Sequence, residues 1–146
     1  MKTIKKFKEI SSYQSENFKK YFGDMEYPNE DPRGLFSKKL ERNMLDKEIL
    51  GELKPTEVSL VDVYNHLKTA SHDEWMIFYC RDKDNVLWAV RAYWYGDGWY
   101  LYAYSIEDPN PWNAGSQVCS RNSFDTLSLE TLPKELVING ITYVKK

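Results

Sequence analysis

The chain has 146 residues, 42% hydrophobic and 29% charged, with a formal net charge of −2 and a sequence pI near 5.7. That length suits one domain with its own core, and that composition excludes disorder of the whole chain. The slight acidity excludes a uniformly basic nucleic-acid-binding surface, and no apolar run reaches the roughly 18 residues of a membrane span.

What stands out is the aromatic content, 15% of the chain, with 11 Tyr, 6 Phe and 5 Trp. In chain order, Ile4, Phe7, Ile10, Phe18, Tyr21 and Phe22 recur at spacings near three and four, predicting helix over residues 3–22. Thr3 is placed to cap it, Gly23 to end it, and Ser11-Ser12 to split it into two shorter helices. This basic segment lacks the apolar stretch of about 7–15 residues that marks a secretory signal, so it reads as part of the folded protein. Glu9 and Glu16 interrupt any clean basic face, which counts against an amphipathic membrane anchor. Residues 24–34, with two prolines, a glycine and four acids, read as a loop.

Residues 35–53 carry a weaker helical pattern in Leu40, Met44, Leu45, Ile49, Leu50 and Leu53, stopped by Pro55. Ser59 and Asp62 then form a capping box, and Leu60, Val63, Tyr64 and Leu67 share one apolar face. Both signals place a helix at about 60–69, ending near Ser71-His72.

Beyond it the period changes to two. Residues 74–81, 86–95, 99–106 and 116–121 are rich in aromatic and β-branched side chains and predict strands. Turns separate them at Asp82–Asn85, at Gly96-Asp97-Gly98 and in the proline-containing Glu107–Gly115 loop. Near the C-terminus, Asn139-Gly140 between two short apolar runs predicts a hairpin with a type I′ turn. The fold expected is α+β, a single domain over 1–146. Its helical part covers about 1–72 and packs on a mainly antiparallel sheet of five or six strands, a meander over about 73–146.

A two-residue Asp97-Gly98 turn would set Tyr95 opposite Tyr100, Tyr93 opposite Tyr102 and Arg91 opposite Tyr104. One sheet face then carries this Tyr/Arg ladder. The other carries Val90, Ala92, Trp94, Trp99, Leu101 and Ala103, which burial makes the core face. A loss of roughly 3–5 kcal/mol on Trp94→Ala is the expectation for a core face. A one-residue slip inverts the assignment, and a bulged three-residue loop mixes the faces.

Cross-strand packing with the hydroxyls in water is the first account of the ladder. A binding face is the second, because Tyr, Trp and Arg dominate interface energetics. Arg91 beside Tyr104, joined by Arg81 or Arg121, would also stack single-stranded bases, but the net acidity and the missing RRM signature disfavour nucleic acid.

Catalytic constellations are sparse. His66 and His72 read as solvated side chains, and Cys80 shares the parity of apolar Met76 and Phe78, which argues for burial over a Cys80–His72 nucleophile pair. Cys80 and Cys119 lack metal-ligand spacing and read as free thiols of a cytoplasmic protein. No phosphate-cradling glycine loop, HExxH or GxSxG is present. No cofactor and no metal are called for.

The stretch from about Asp46 to Asn122 contains D-K-E-I-L-x-E-L, the aromatic hairpin, and Trp112, Asn113, Gly115, Ser120, Arg121 and Asn122 in a W-N-x-G-x-x-x-x-S-R-N pattern. It resembles a group of small uncharacterised bacterial proteins of candidate-phylum, Parcubacteria-like genomes. The resemblance implies a bacterial, cytoplasmic origin and a compact α+β domain, and supplies no catalytic residue, cofactor or partner. In the closing motif, Trp112 is placed to plug the core and Gly115 to make a positive-φ turn. Arg121 is placed to hold a carboxylate or backbone carbonyls, or else to form one wall of a ligand pocket with Trp112 and Tyr102.

The function expected is non-enzymatic recognition of a protein or small ligand, an inhibitor- or immunity-type protein falling within that class. The candidate site is Arg91, Tyr93, Tyr95, Tyr100, Tyr102, Tyr104, Trp112 and Arg121. A small hydrolase-like enzyme and a single-stranded nucleic-acid binder are the alternatives, and exposed aromatic strands equally allow a homodimer face.

Overall fold

The tight Gly96-Asp97 turn, with Gly96 at φ +69°, joins the two longest strands. These are β4 (Leu87–Tyr95) and β5 (Gly98–Ser105), the centre of the sheet in this computed structural model, which describes residues 11–23, 34–124, 135–138 and 141–144. A left-handed conformation at Gly96 costs glycine little and matches the right-handed twist of a hairpin. The register is Tyr95↔Gly98, Tyr93↔Tyr100, Arg91↔Tyr102 and Ala89↔Tyr104. The turn therefore lies one residue earlier than Asp97-Gly98, which shifts every pairing by two. A two-residue shift preserves the faces, so the ladder stays together while each partner changes.

Around this hairpin stand β1 (Ser11–Gln14), α1 (Glu16–Phe22), β2 (Phe36–Lys39) and α2 (Asp46–Glu48), the last running into a π-turn at Ile49–Leu53. Then come α3 (Leu60–Leu67), β3 (Met76–Arg81), β6 (Gln117–Ser120), β7 (Glu135–Ile138) and β8 (Ile141–Val144). The class is α+β, but the six-stranded sheet, in the order β1-β5-β4-β3-β6-β2, is mixed rather than mainly antiparallel. β1 runs parallel to β5 and β3 parallel to β6; the other pairs are antiparallel.

Two of the six strands come from segments expected to be helical. Ser11–Gln14 pairs with β5, where Tyr13 sets its ring against Tyr100 and Tyr102, both at 5.5 Å between centroids. Ser12 packs so closely on Gly98 that a Cβ there would collide with its side chain and amide nitrogen. The helix begins only at Glu16, where Ser15 Oγ accepts the Phe18 N–H at 3.1 Å. Phe36–Lys39 likewise extends along β6. Long-range pairing here overrides a local apolar spacing that a short helix and a strand satisfy equally well. The Thr3 cap and the 3–10 part of the expected helix, all of the expected 24–34 loop except Gly34, and the Asn139-Gly140 turn itself lie outside the described residues.

The expected α3 helix is present, with Ser59 Oγ accepting from the Asp62 N–H and Asp62 Oδ2 from the Ser59 N–H. The meander is broken instead at β6. The chain leaves β5, crosses one sheet face through residues 106–116 and re-enters beside β3, because a parallel pair needs a crossover. Trp112 is pinned on that path by reciprocal backbone bonds with Met44 (3.0 and 2.7 Å), and Gly115 makes the expected positive-φ turn. β7 and β8 form their own two-stranded sheet.

Burial divides the sheet into two sides. On one, Phe18 and Phe22 of α1 and Leu60, Val63 and Leu67 of α3 share a core cluster with Met76, Phe78, Cys80, Val90, Ala92, Trp99, Leu101, Ala103 and Cys119. On the other, Leu40, Met44 and Ile49 join Ile77, Tyr79, Ala89 and Val118. The rest of this second side, over β4 and β5, is where the ladder lies.

Candidate functional site

Alternation along β4 and β5 puts Arg91, Tyr93, Tyr95, Tyr100, Tyr102 and Tyr104 on the second side of the sheet. The tyrosines form a continuous row. Tyr93 and Tyr102 stack at 5.9 Å, Tyr102 and Tyr104 at 6.0 Å, and Tyr95 meets Tyr100 edge-on at 5.6 Å. Tyr95 is 66% exposed, whereas Tyr93, Tyr100, Tyr102 and Tyr104 are half-buried. The Tyr102 hydroxyl, 3.4 Å from that of Tyr93, pushes the Tyr93 phenol up to about 12.

Arg91 lies among these rings. Its guanidinium carbon is 4.4 Å from the Tyr102 ring centroid, 5.0 Å from Tyr93 and 5.3 Å from both Tyr104 and Trp75. Trp75 arrives from the segment before β3 and stacks on Tyr93 at 4.5 Å, with 48% of its own surface exposed. Among the described residues, Arg91 makes no hydrogen bond and no ion pair, and its buried Nε–H has no partner. A buried donor left unsatisfied costs free energy, so its retention in a folded chain calls for a reason.

Beside Arg91 opens a pocket of about 240 Å³, lined by Trp75, Tyr104, the 108–113 loop, Ser116 and Asp46. Asp46 is buried at the start of α2, and its Oδ1 accepts from Tyr79 Oη at 2.6 Å and from Trp112 Nε1 at 2.8 Å. Burial pushes its carboxyl above the usual carboxylate range; the Tyr79 and Trp112 bonds oppose this and Asp108 adds to it. A raised folded-state value means stability is lost as pH climbs from about 4, the unfolded carboxylate value, through the folded one. Asp46→Asn keeps an acceptor for both bonds, so its stability relative to wild type should improve between about pH 4 and pH 7 in urea titrations. Asp46→Ala orphans two donors and should lower stability by about 2–4 kcal/mol at either pH.

The candidate residues do not all converge. Trp112 stands against Tyr104 edge-on at 5.6 Å and reaches the pocket, as does Arg91. Arg121 does not. It pairs through Nε with Asp62 Oδ2 at 3.0 Å, and Asp62 lies at the start of α3. The pocket wall of Trp112, Arg121 and Tyr102 is therefore corrected: Arg121 is a structural cation holding a buried carboxylate. Arg81 is likewise occupied, by Glu57 at 2.8 Å, so neither of these two arginines is left free to join Arg91 in a cationic stripe.

Three site residues escaped the sequence reading. Trp75 carried a usable signal, since Ile77↔Arg91 pairing places it opposite Tyr93. Asp46 and Tyr79 carried none, because their meeting depends on how α2 lies on the sheet.

The thiols offer no nucleophile. Cys80 and Cys119 are fully buried in the first core, and burial pushes both well above the ordinary range. Both should resist alkylation in the native chain and react on denaturation; rapid native labelling of Cys80 would restore the covalent-catalysis alternative. His72 instead stacks flat on Trp94 at 3.5 Å. His66, expected to be solvated, is half-buried with its ring edge-on to Phe78, and burial pulls its pKa down. Among the described residues, no group of three or more His, Cys, Asp or Glu is placed to hold a metal, and no helix is long and apolar enough to cross a membrane.

No family model matches the chain, and comparison with curated proteins and with solved structures finds no match.

Proposed function

We propose that this protein is a non-enzymatic recognition module whose binding site is Arg91 with its surrounding rings and the adjoining pocket. One observation carries the proposal: a half-buried guanidinium held among four rings that, among the described residues, has no counter-ion and no partner for its Nε–H. An arginine retained for structure normally meets a carboxylate or a set of carbonyls, as Arg121 and Arg81 do here. Arg91 instead presents its charge beside a cavity, with its guanidinium held in place by the surrounding rings. The pocket combines three aromatic side chains, Trp75, Tyr104 and Trp112, with polar and charged groups that can orient a ligand.

The test incubates the purified protein with cell extract, with and without nuclease, and reads retained species by native mass spectrometry. An Arg91→Ala/Tyr100→Ala/Tyr102→Ala variant, confirmed as folded by circular dichroism, is the control. A bound species present on the wild type, absent from the variant and indifferent to nuclease supports recognition at this face. Equal retention by both proteins, or retention by neither, reduces the ladder to cross-strand packing. Loss with nuclease points to the nucleic-acid alternative.

A further inference from the structure

The pocket beside Arg91 contains groups of both signs. Arg91 supplies the unpartnered cation, and the carboxylates of Asp46 and Asp108 are part of the same lining. Tyr104 lies between them in the lining, with Arg91 5.3 Å from its ring and Trp112 edge-on to it. Asp46 accepts the Tyr79 and Trp112 hydrogen bonds at Oδ1, while Oδ2 accepts none among the described residues and the side chain borders the cavity. The pocket therefore has an anion-seeking edge and a cation-seeking edge, separated by aromatic walls.

We propose that it binds a small zwitterion of the α-amino-acid type, with the ligand carboxylate on the Arg91 fork, the ammonium at Asp46 Oδ2 and Asp108, and an apolar side chain against Trp75 and Trp112. This rests on the reading of the Arg91 pocket as a binding site and adds its ligand class.

Three considerations select that class. A planar carboxylate matches the paired Nη–H groups of the Arg91 guanidinium, the residue that lines the pocket. A phosphate dianion would meet two carboxylates within the same lining, and a simple cation would meet Arg91. The cavity, about 240 Å³, falls below the usual range of roughly 300–1,000 Å³ for drug-sized ligands, so it suits a single amino acid. Asp46 adds support: burial holds its carboxyl above the normal range and Asp108 reinforces this, so a ligand ammonium supplies the counter-charge the pair lacks.

Four probes on one scaffold test the proposal: L-phenylalanine, L-phenylalaninamide without the carboxylate, 3-phenylpropanoate without the ammonium, and phenyl phosphate. Trp75 and Trp112 line the cavity, so tryptophan fluorescence reports occupancy, with calorimetry as a second readout. Phenylalanine should bind, and deletion of either charged group should weaken binding about tenfold or more. Asp46→Asn and Asp108→Asn should each weaken phenylalanine while leaving 3-phenylpropanoate as tight or tighter, and Arg91→Gln should abolish binding of both. Asp108→Asn preserves the acceptor for the Asn110 N–H, so that variant leaves the loop bond intact.

If 3-phenylpropanoate or phenyl phosphate binds as tightly as phenylalanine, the zwitterion is overturned while Arg91 stands as an anion site. If no probe binds but the extract experiment retains an Arg91-dependent species, the ligand class is wrong and the recognition reading survives. If neither experiment detects a ligand, both fall.

Discussion

Trp99→Ala should lower the free energy of unfolding by about 3–5 kcal/mol, read as a reduced urea midpoint at unchanged slope. Trp99 is 2% exposed, on the β5 face that shares a core with α1 and α3. Its ring meets Trp94 edge-on at 5.3 Å and His72 at 5.5 Å, so truncation removes a large buried surface and two ring contacts together. Neighbours that belong to the sheet backbone cannot collapse into the space, which places the cost at the high end for a core aromatic. Trp94→Ala should cost distinctly less than the 3–5 kcal/mol first expected of it, about 1–2 kcal/mol. Trp94 lies on the same side but only half-buried, its Nε1–H bonded to the Gly96 carbonyl at 3.1 Å and its face covered by exposed His72. Equal losses for the two tryptophans would contradict the burial pattern described here.

Arg121→Ala should destabilise by about 3 kcal/mol at pH 7, through the partner left behind. Asp62 is wholly buried, and Arg121 is the cation that its Oδ2 meets at 3.0 Å. The same oxygen accepts the Ser59 N–H at 3.2 Å, so the carboxylate also closes the α3 capping box. Without the guanidinium, the buried carboxylate loses a charge-assisted bond at 3.0 Å. The double variant Asp62→Asn/Arg121→Met removes both charges and keeps a side-chain acceptor for Ser59. It should recover most of the loss, and a coupling energy near zero in the double-mutant cycle would show the bridge to be inert. The comparison also separates the two arginines on chemical grounds. Loss of Arg121 should unfold the chain more readily, whereas loss of Arg91, which pairs with no counter-charge among the described residues, should act mainly on binding.

Much of the site was visible in the sequence because strands impose a period of two. Arg91, Tyr93 and Tyr95 alternate with Val90, Ala92 and Trp94, and the same alternation runs through Tyr100, Tyr102 and Tyr104. No choice of turn that shifts the register by an even number can separate the members of such a set. The true turn, one residue earlier than expected, therefore exchanged every partner and left the face intact. The capping box at Ser59–Asp62 was equally legible, since both halves of its hydrogen-bond exchange lie within four residues.

Long-range pairing was not legible. Ser11–Gln14 and Phe36–Lys39 lie in segments of helix-like spacing, and each becomes a strand because a sheet edge offers unpaired backbone groups to it. The crossover that carries β6 to the far side of β3 has the same origin.

The sequence by itself determined the α+β class, the α3 helix, the strand segments from β3 to β6 and the common face of the Tyr/Arg ladder. Each depends on local periodicity or on hydrogen bonds between near neighbours, which the order of residues specifies directly. Only the tertiary structure decided that Arg121 serves Asp62, that Arg91 meets no counter-ion among the described residues, and that Asp46 comes to Arg91's pocket. Those outcomes depend on which charges meet across the sheet. A carboxylate and a guanidinium separated by 59 positions, as Asp62 and Arg121 are, leave no periodic trace in a sequence.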